Sequence, residues 1–252
     1  MTETPPESSL PADDDKIISD LLANCPLQSE VVVELPSKNK FYKLLNPSDP
    51  ITLRPMTFED EKAIVSNKNA SKDVLNILLG RCMTNINISD LLLFDKLYLL
   101  MKLREISYGS IYKADITCPA CRTDNKVAFD LSDLEIKYVE DDMVNPVSLH
   151  LPVLKKTIKV NLPRVSDERY LNNTEASTNN LWRFVAEIEG HTKKTIISKV
   201  VKKLPLKDIH ALMNLLSGQK YGINTGVRFA CSYCSHSEKM ELPITADFFT
   251  ET

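Results

Sequence analysis

Two Cys-x2-Cys pairs far apart in the chain, Cys118-Pro119-Ala120-Cys121 and Cys231-Ser232-Tyr233-Cys234, constrain this sequence more than any other feature. The spacing lets two thiolates on one tight turn reach the same metal ion, and two such turns complete a closed tetrahedral zinc site. Their flanks correspond. Ile116-Thr117 leads into the first pair and Phe229-Ala230 into the second, while Lys126-Val127-Ala128-Phe129 and Lys239-Met240-Glu241-Leu242 follow at similar offsets. The pattern predicts two hairpins pinched at their tips, a zinc ribbon whose halves are separated by residues 122–230.

Two other readings compete. Cys-x2-Cys is also a redox spacing, but a redox pair sits where a strand meets a helix, whose N-terminus helps lower the thiolate pKa. Here polar Arg122-Thr123-Asp124-Asn125 and strand-like residues follow. Chance spacing of unrelated cysteines is the remaining alternative. A closed four-cysteine site leaves no open coordination position, so Cys118, Cys121, Cys231 and Cys234 are expected to hold structure rather than catalyse. Of the other cysteines, Cys82 falls on the apolar face of a predicted helix and reads as a small buried hydrophobe. Cys25 lies in a polar tail and reads as a free thiol.

The 34 acidic and 31 basic residues of this 252-residue chain nearly balance, which favours neither nucleic acid nor a membrane surface as partner. Apolar runs stay well short of the roughly 20 residues a membrane span needs. The expected protein is soluble and intracellular.

Residues 1–28 contain Pro5-Pro6, Pro11 and Asp13-Asp14-Asp15, and are expected to be largely disordered apart from a short helix over Lys16–Leu22. Glu30–Leu35 reads as a strand returning through Phe41-Tyr42, and Ile51–Arg54 as another. Thr57, Ser71 and Ser89 read as caps of three helices, the third ending near Leu103-Arg104. Ile111–Thr117 then delivers the first cysteine pair. Ile136–Val139 is a further strand candidate, and Val147–Leu151 with Thr157–Leu162 alternate as a hairpin. Residues 166–217 read as helical, with Trp182 as a core anchor, Pro205 opening the last helix and Gly218 ending it. Six lysines between Lys193 and Lys207 read as a solvated face, with an acidic partner as the alternative. His236, two residues past Cys234, is a reserve ligand position expected to stay exposed.

The predicted class is α+β, with helical segments flanking a β-rich middle and a four-cysteine zinc ribbon formed by two distant hairpins. The expected organisation is a tail over 1–28, an α+β region over 29–117, the ribbon over 118–131 and 226–252, and a β-hairpin plus helical insertion over 132–225.

The succession Leu53-Arg54-Pro55-Met56-Thr57, the Leu103–Gly109 stretch before the first cysteine pair, Leu204-Pro205-Leu206-Lys207-Asp208-Ile209, and a terminal cysteine pair followed by Phe248-Phe249 resembles the baseplate hub family of T4-like contractile-tailed bacteriophages, which includes small hub subunits and a hub assembly catalyst. The resemblance covers about residues 30–250. It departs at Cys231-Ser232-Tyr233-Cys234-Ser235, which stands in place of a Cys-Pro-x-Cys-Gly type of turn. The resemblance implies a non-enzymatic structural or assembly protein whose partners are other tail or baseplate hub proteins, present in host cytoplasm during assembly and in the virion tail. No phosphate loop, G-x-S-x-G elbow or H-E-x-x-H helix is present in the sequence. A nucleic-acid-binding zinc ribbon and a dithiol oxidoreductase stand as the alternatives.

Overall fold

The computed structural model describes residues 12–22, 29–67, 74–171, 174–217, 220–242, 244 and 246–249. Cys25 and the caps expected at Ser71 and Gly218 lie outside the described residues. In chain order the elements are α1 (Ala12–Leu22), β1 (Val31–Val32), β2 (Thr52–Leu53), α2 (Phe58–Asn67), α3 (Val74–Cys82), α4 (Leu93–Tyr108), β3 (Ile111–Thr117), β4 (Asp124–Asp130), β5 (Ile136–Lys137), β6 (Val147–His150), β7 (Thr157–Val160), α5 (Thr174–Asn180), β8 (Val185–Ile188), α6 (Lys194–Val201), α7 (Leu206–Leu216), β9 (Gly222–Ile223), β10 (Gly226–Ala230) and β11 (Ser237–Glu241). The described strands form small antiparallel sheets, paired β1-β2, β3-β4, β5-β9, β6-β7-β8 and β10-β11. The class is α+β.

The first core gathers around α4, which buries Tyr98, Leu99, Leu100, Met101 and Leu103. Helices α2 and α3 pack beside it and contribute Ile64, Leu78, Leu79 and Cys82. The entry to α2 is fixed by Asp60, a fully buried carboxylate. It accepts from the Thr57 backbone N–H and hydroxyl, from Arg54 Nη1 at 2.7 Å and from Arg81 Nε at 2.8 Å. Burial alone would raise its pKa, but the Arg54 and Thr57 donors outweigh that and hold it well below the usual carboxylate range. The acidic first turn of α2 is thus an internal clasp as well as a dipole match.

A second clasp fixes the start of α4. Buried Asp95 accepts from the Ser37 backbone N–H at 3.0 Å and from the Tyr42 hydroxyl. That hydroxyl in turn accepts from the Leu92 N–H at 3.0 Å. The loop after β1 is thereby tied to the helix that centres the core.

The end of the chain closes the same core. Phe248 and Phe249 are fully buried in it, with their rings 5.1 Å apart and Phe248 4.7 Å from Tyr112. The Tyr108 hydroxyl donates to the Phe249 carbonyl at 3.0 Å.

Residues 147–217 build a second core, in which the three-stranded sheet is covered by α6 and α7. Ile158, Val160, Val185 and Ile188 face Ile197, Val201, Leu212 and Leu216 across it. Asp208 in the first turn of α7 is fully buried, and its carboxylate accepts the Val153 and Leu154 N–H groups at 2.7 and 2.9 Å. Trp182 is partly buried against this core. A smaller cluster of Leu92, Phe94, Val139, Leu162 and Tyr221 joins the two. Gly222 is required there, because at φ +88 a Cβ would sit 2.9 Å from Phe94 Cβ.

Several local expectations need correction. Phe41-Tyr42 is not a return strand: β1 pairs with β2, and Tyr42 is drawn to Asp95 instead. Ser89 does not cap the third helix. It lies in a 3-10 turn over Ile88–Asp90 whose cap is Asn87, and α4 begins at Leu93 without a side-chain cap. That helix runs on through Ile106–Tyr108 to Gly109 at φ 86. The Ile136–Val139 strand shortens to two residues. Within the stretch read as helical, Val185–Ile188 is a strand that adds the third member of the β6-β7-β8 sheet.

Burial pushes the Asp95 carboxyl up to about 6 despite its Ser37 and Tyr42 donors. A raised folded-state pKa means the native state binds a proton more tightly, so this contribution is complete below the ordinary carboxylate pKa and fades as pH rises through about 6. Thermal melts between pH 4.5 and 7 should show a stabilising component at the acid end, on the order of 2 kcal/mol. Asp95→Asn should remove that component; an identical pH dependence in the variant would contradict it.

Candidate metal centre

Each cysteine pair sits at the tip of a hairpin. In the first, β3 and β4 pair in continuous register from Ile111 opposite Asp130 to Thr117 opposite Asp124. In the second, β10 and β11 pair from Gly226 opposite Glu241 to Ala230 opposite Ser237. The two tips have the same backbone design. Cys118 N–H donates to the Thr123 carbonyl at 3.0 Å, and Cys231 N–H to the His236 carbonyl at 2.8 Å, both spanning five residues. The residue after the second cysteine of each pair is left-handed, Arg122 at φ 60 and Ser235 at φ 59. That position favours glycine, so Ser235 carries strain where the related turn type has none.

The tips meet. All four sulfurs lie within 4.8 Å of one another. Cys118 Sγ is 3.7 Å from Cys234 Sγ, and Cys121 Sγ is 3.7 Å from Cys231 Sγ. These separations are too long for disulfides, and the four thiols are free. A tetrahedron of sulfurs each about 2.3 Å from a central ion has edges of about 3.8 Å, so the four positions can hold one metal ion. Cys118 and Cys231 are buried among Phe229, Ile116, Val127 and Met240, whereas Cys121 and Cys234 face solvent.

The electrostatics fit a cation. Burial pushes the Cys231 thiol up, but the Tyr233 and Cys234 backbone N–H groups and the neighbouring thiols bring it down to about 6. The Tyr233 N–H lies 3.4 Å from its sulfur. Thr123 lowers the Cys121 thiol through hydrogen bonds. At Cys234 the His236 backbone favours the thiolate, yet hydrogen bonding with Cys121 and the other neighbouring thiols pushes it up to about 12. Four sulfurs this close resist ionising together unless a positive charge lies between them.

The remaining candidates stay apart from the cluster. Cys82 is buried on α3, 3.9 Å from Asp60 Oδ2, and its thiol is raised to about 11 by burial and the neighbouring carboxylate. His236 contributes its backbone carbonyl to the second tip, and its Nε2 lies 3.6 Å from Glu238. Sequence reasoning missed Asn125. Its amide Nδ2 donates to Thr123 O at 2.9 Å on its own tip, and its Oδ1 accepts from the Ser232 N–H at 3.0 Å on the other. Polar Asn125 beside a cysteine pair looked like an ordinary turn residue; only the meeting of the hairpins reveals the link.

Two cysteine-tipped hairpins that meet on a mixed α+β fold define a candidate metal-binding protein. The family of T4 bacteriophage base plate proteins matches residues 27–250, and the chain belongs to it. The family gives it a structural or assembly role in a phage baseplate. No curated protein and no solved structure matches the chain.

Asn125→Ala should cost about 1 to 3 kcal/mol by stranding the Ser232 N–H. Ser235→Gly should stabilise by up to about 1 kcal/mol. Urea denaturation of both variants checks the pair, and a neutral Asn125→Ala would deny the cross-tip bond its role.

Proposed function

We propose that this chain is a non-enzymatic structural or assembly protein of a contractile-tail baseplate hub, folded around one structural zinc ion held by Cys118, Cys121, Cys231 and Cys234. The observation that carries the role is the family match over nearly the whole chain. The zinc reading rests on four sulfurs at tetrahedral spacing on two knuckles of one design. The ion would convert two marginal hairpins into one rigid ribbon, because thiolate ligation couples binding to folding. On the same reading, residues 118–131 and 226–252 form the ribbon, 132–225 an insertion and 29–117 the body. The partners are other baseplate proteins of the hub, met in host cytoplasm during assembly and in the virion tail.

Affinity capture of the tagged chain during phage production tests the role. Hub, tube or tape-measure proteins are the expected companions, and recovery of polymerase or nucleic acid in their place would overturn it. For the zinc, chelation and Cys118→Ser should each lower the melting temperature, with added Zn²⁺ restoring the chelated protein but not the variant. An unchanged melt in both would refute the site.

A further inference from the structure

Helix α1 presents Ile17, Ile18, Leu21 and Leu22 on one face, and all four are exposed, Leu21 at 78%. Its sequence carries Asp13, Asp14, Asp15 and Asp20 against the one cation Lys16. An acidic helix with an uncovered apolar face calls for a basic-rimmed apolar groove. The body of the chain contains one. Between the start of α4, the end of α7 and the β10-β11 hairpin lies a cavity of roughly 800 Å³ whose lining includes Leu93, Phe94, Leu97 and Leu215. Lys137, Arg228 and Lys239 line its edge. Lys137 is paired with Glu135 at 3.3 Å, and the edge carboxylate Glu241 accepts the Thr225 hydroxyl. Arg228 and Lys239 are different. They stand directly opposite each other across the hairpin, both exposed, and neither forms an ion pair among the described residues. Like charges in directly opposed positions repel, and an anionic partner turns that cost into binding energy.

We propose that this groove receives α1 of a second copy of the chain, with its apolar face against Leu93 and Leu97 and its acidic sequence toward Arg228 and Lys239. The contact is heterologous, because helix and groove are different surfaces of the same molecule. It rests on the groove and the helix alone and stands whether or not a metal fills the cysteine cluster.

Sedimentation of the full chain over a range of concentrations tests this at low and high salt. The wild type should self-associate, less so in high salt. Leu21→Asp, and separately Arg228→Glu with Lys239→Glu, should each weaken association by about tenfold or more. Mixing the two variants should restore a one-to-one complex, since each retains the surface the other lacks. If charge reversal disturbs the hairpin, Arg228→Gln with Lys239→Gln reads the same loss on a milder change. A monomer at every concentration would overturn the proposal, including one in which α1 is covered by its own chain. So would association that either variant leaves intact, or a mixture that fails to reassociate.

Discussion

The approach of two cysteine tips separated by more than a hundred residues is the constraint on which the rest of this structure depends. Cys118 and Cys234 come together across 116 positions and Cys121 and Cys231 across 110. Closing so long a loop costs conformational entropy, although the cost grows only slowly with length. The closure is reinforced by the Asn125 bridge to Ser232 and by Phe229, which is fully buried beneath the sulfurs. Bringing four sulfurs within 4.8 Å also sets an electrostatic demand that a central cation would meet.

The consequences reach both cores. Hairpin β3-β4 grows directly out of α4, the centre of the first core, and β10-β11 leads to Leu242, Phe248 and Phe249 in that same core. Between the hairpins the β6-β7-β8 sheet with α6 and α7 builds the second core, while Leu131, Val165 and Ile223 pack in the first. Two buried carboxylates hold the body in its path by different means. Asp60 is paired with Arg54 and Arg81 and held ionised by its Arg54 and Thr57 donors, while Asp95 accepts from neutral donors and burial raises its carboxyl to about 6. The first is an ion cluster and the second a hydrogen-bond clasp.

Much of this was legible in sequence where the code is local. Ile111–Thr117 emerges with the boundaries expected for it, and the 147–160 hairpin and α7 are where periodicity placed them. The cysteine spacing announced that the two pairs belong together. What was hidden depends on long-range contact. Val185–Ile188 is four residues long, too short for periodicity to separate strand from helix, and only the free edge of β7 makes it a strand. Tyr42 looked like a strand residue because nothing local betrays a buried Asp95 fifty-three positions away. Asn125 was unreadable for the same reason. The baseplate family, in contrast, was carried by the order of short motifs along the chain and by the match over 27–250.

The most direct measurement is metal content together with X-ray absorption on the purified full chain. The account predicts one zinc per chain, with four sulfur neighbours at about 2.3 Å. Absence of metal from chain that is folded, or a zinc shell containing nitrogen or oxygen, would contradict the closed four-cysteine centre and remove the ion from the explanation of how the two hairpins are held.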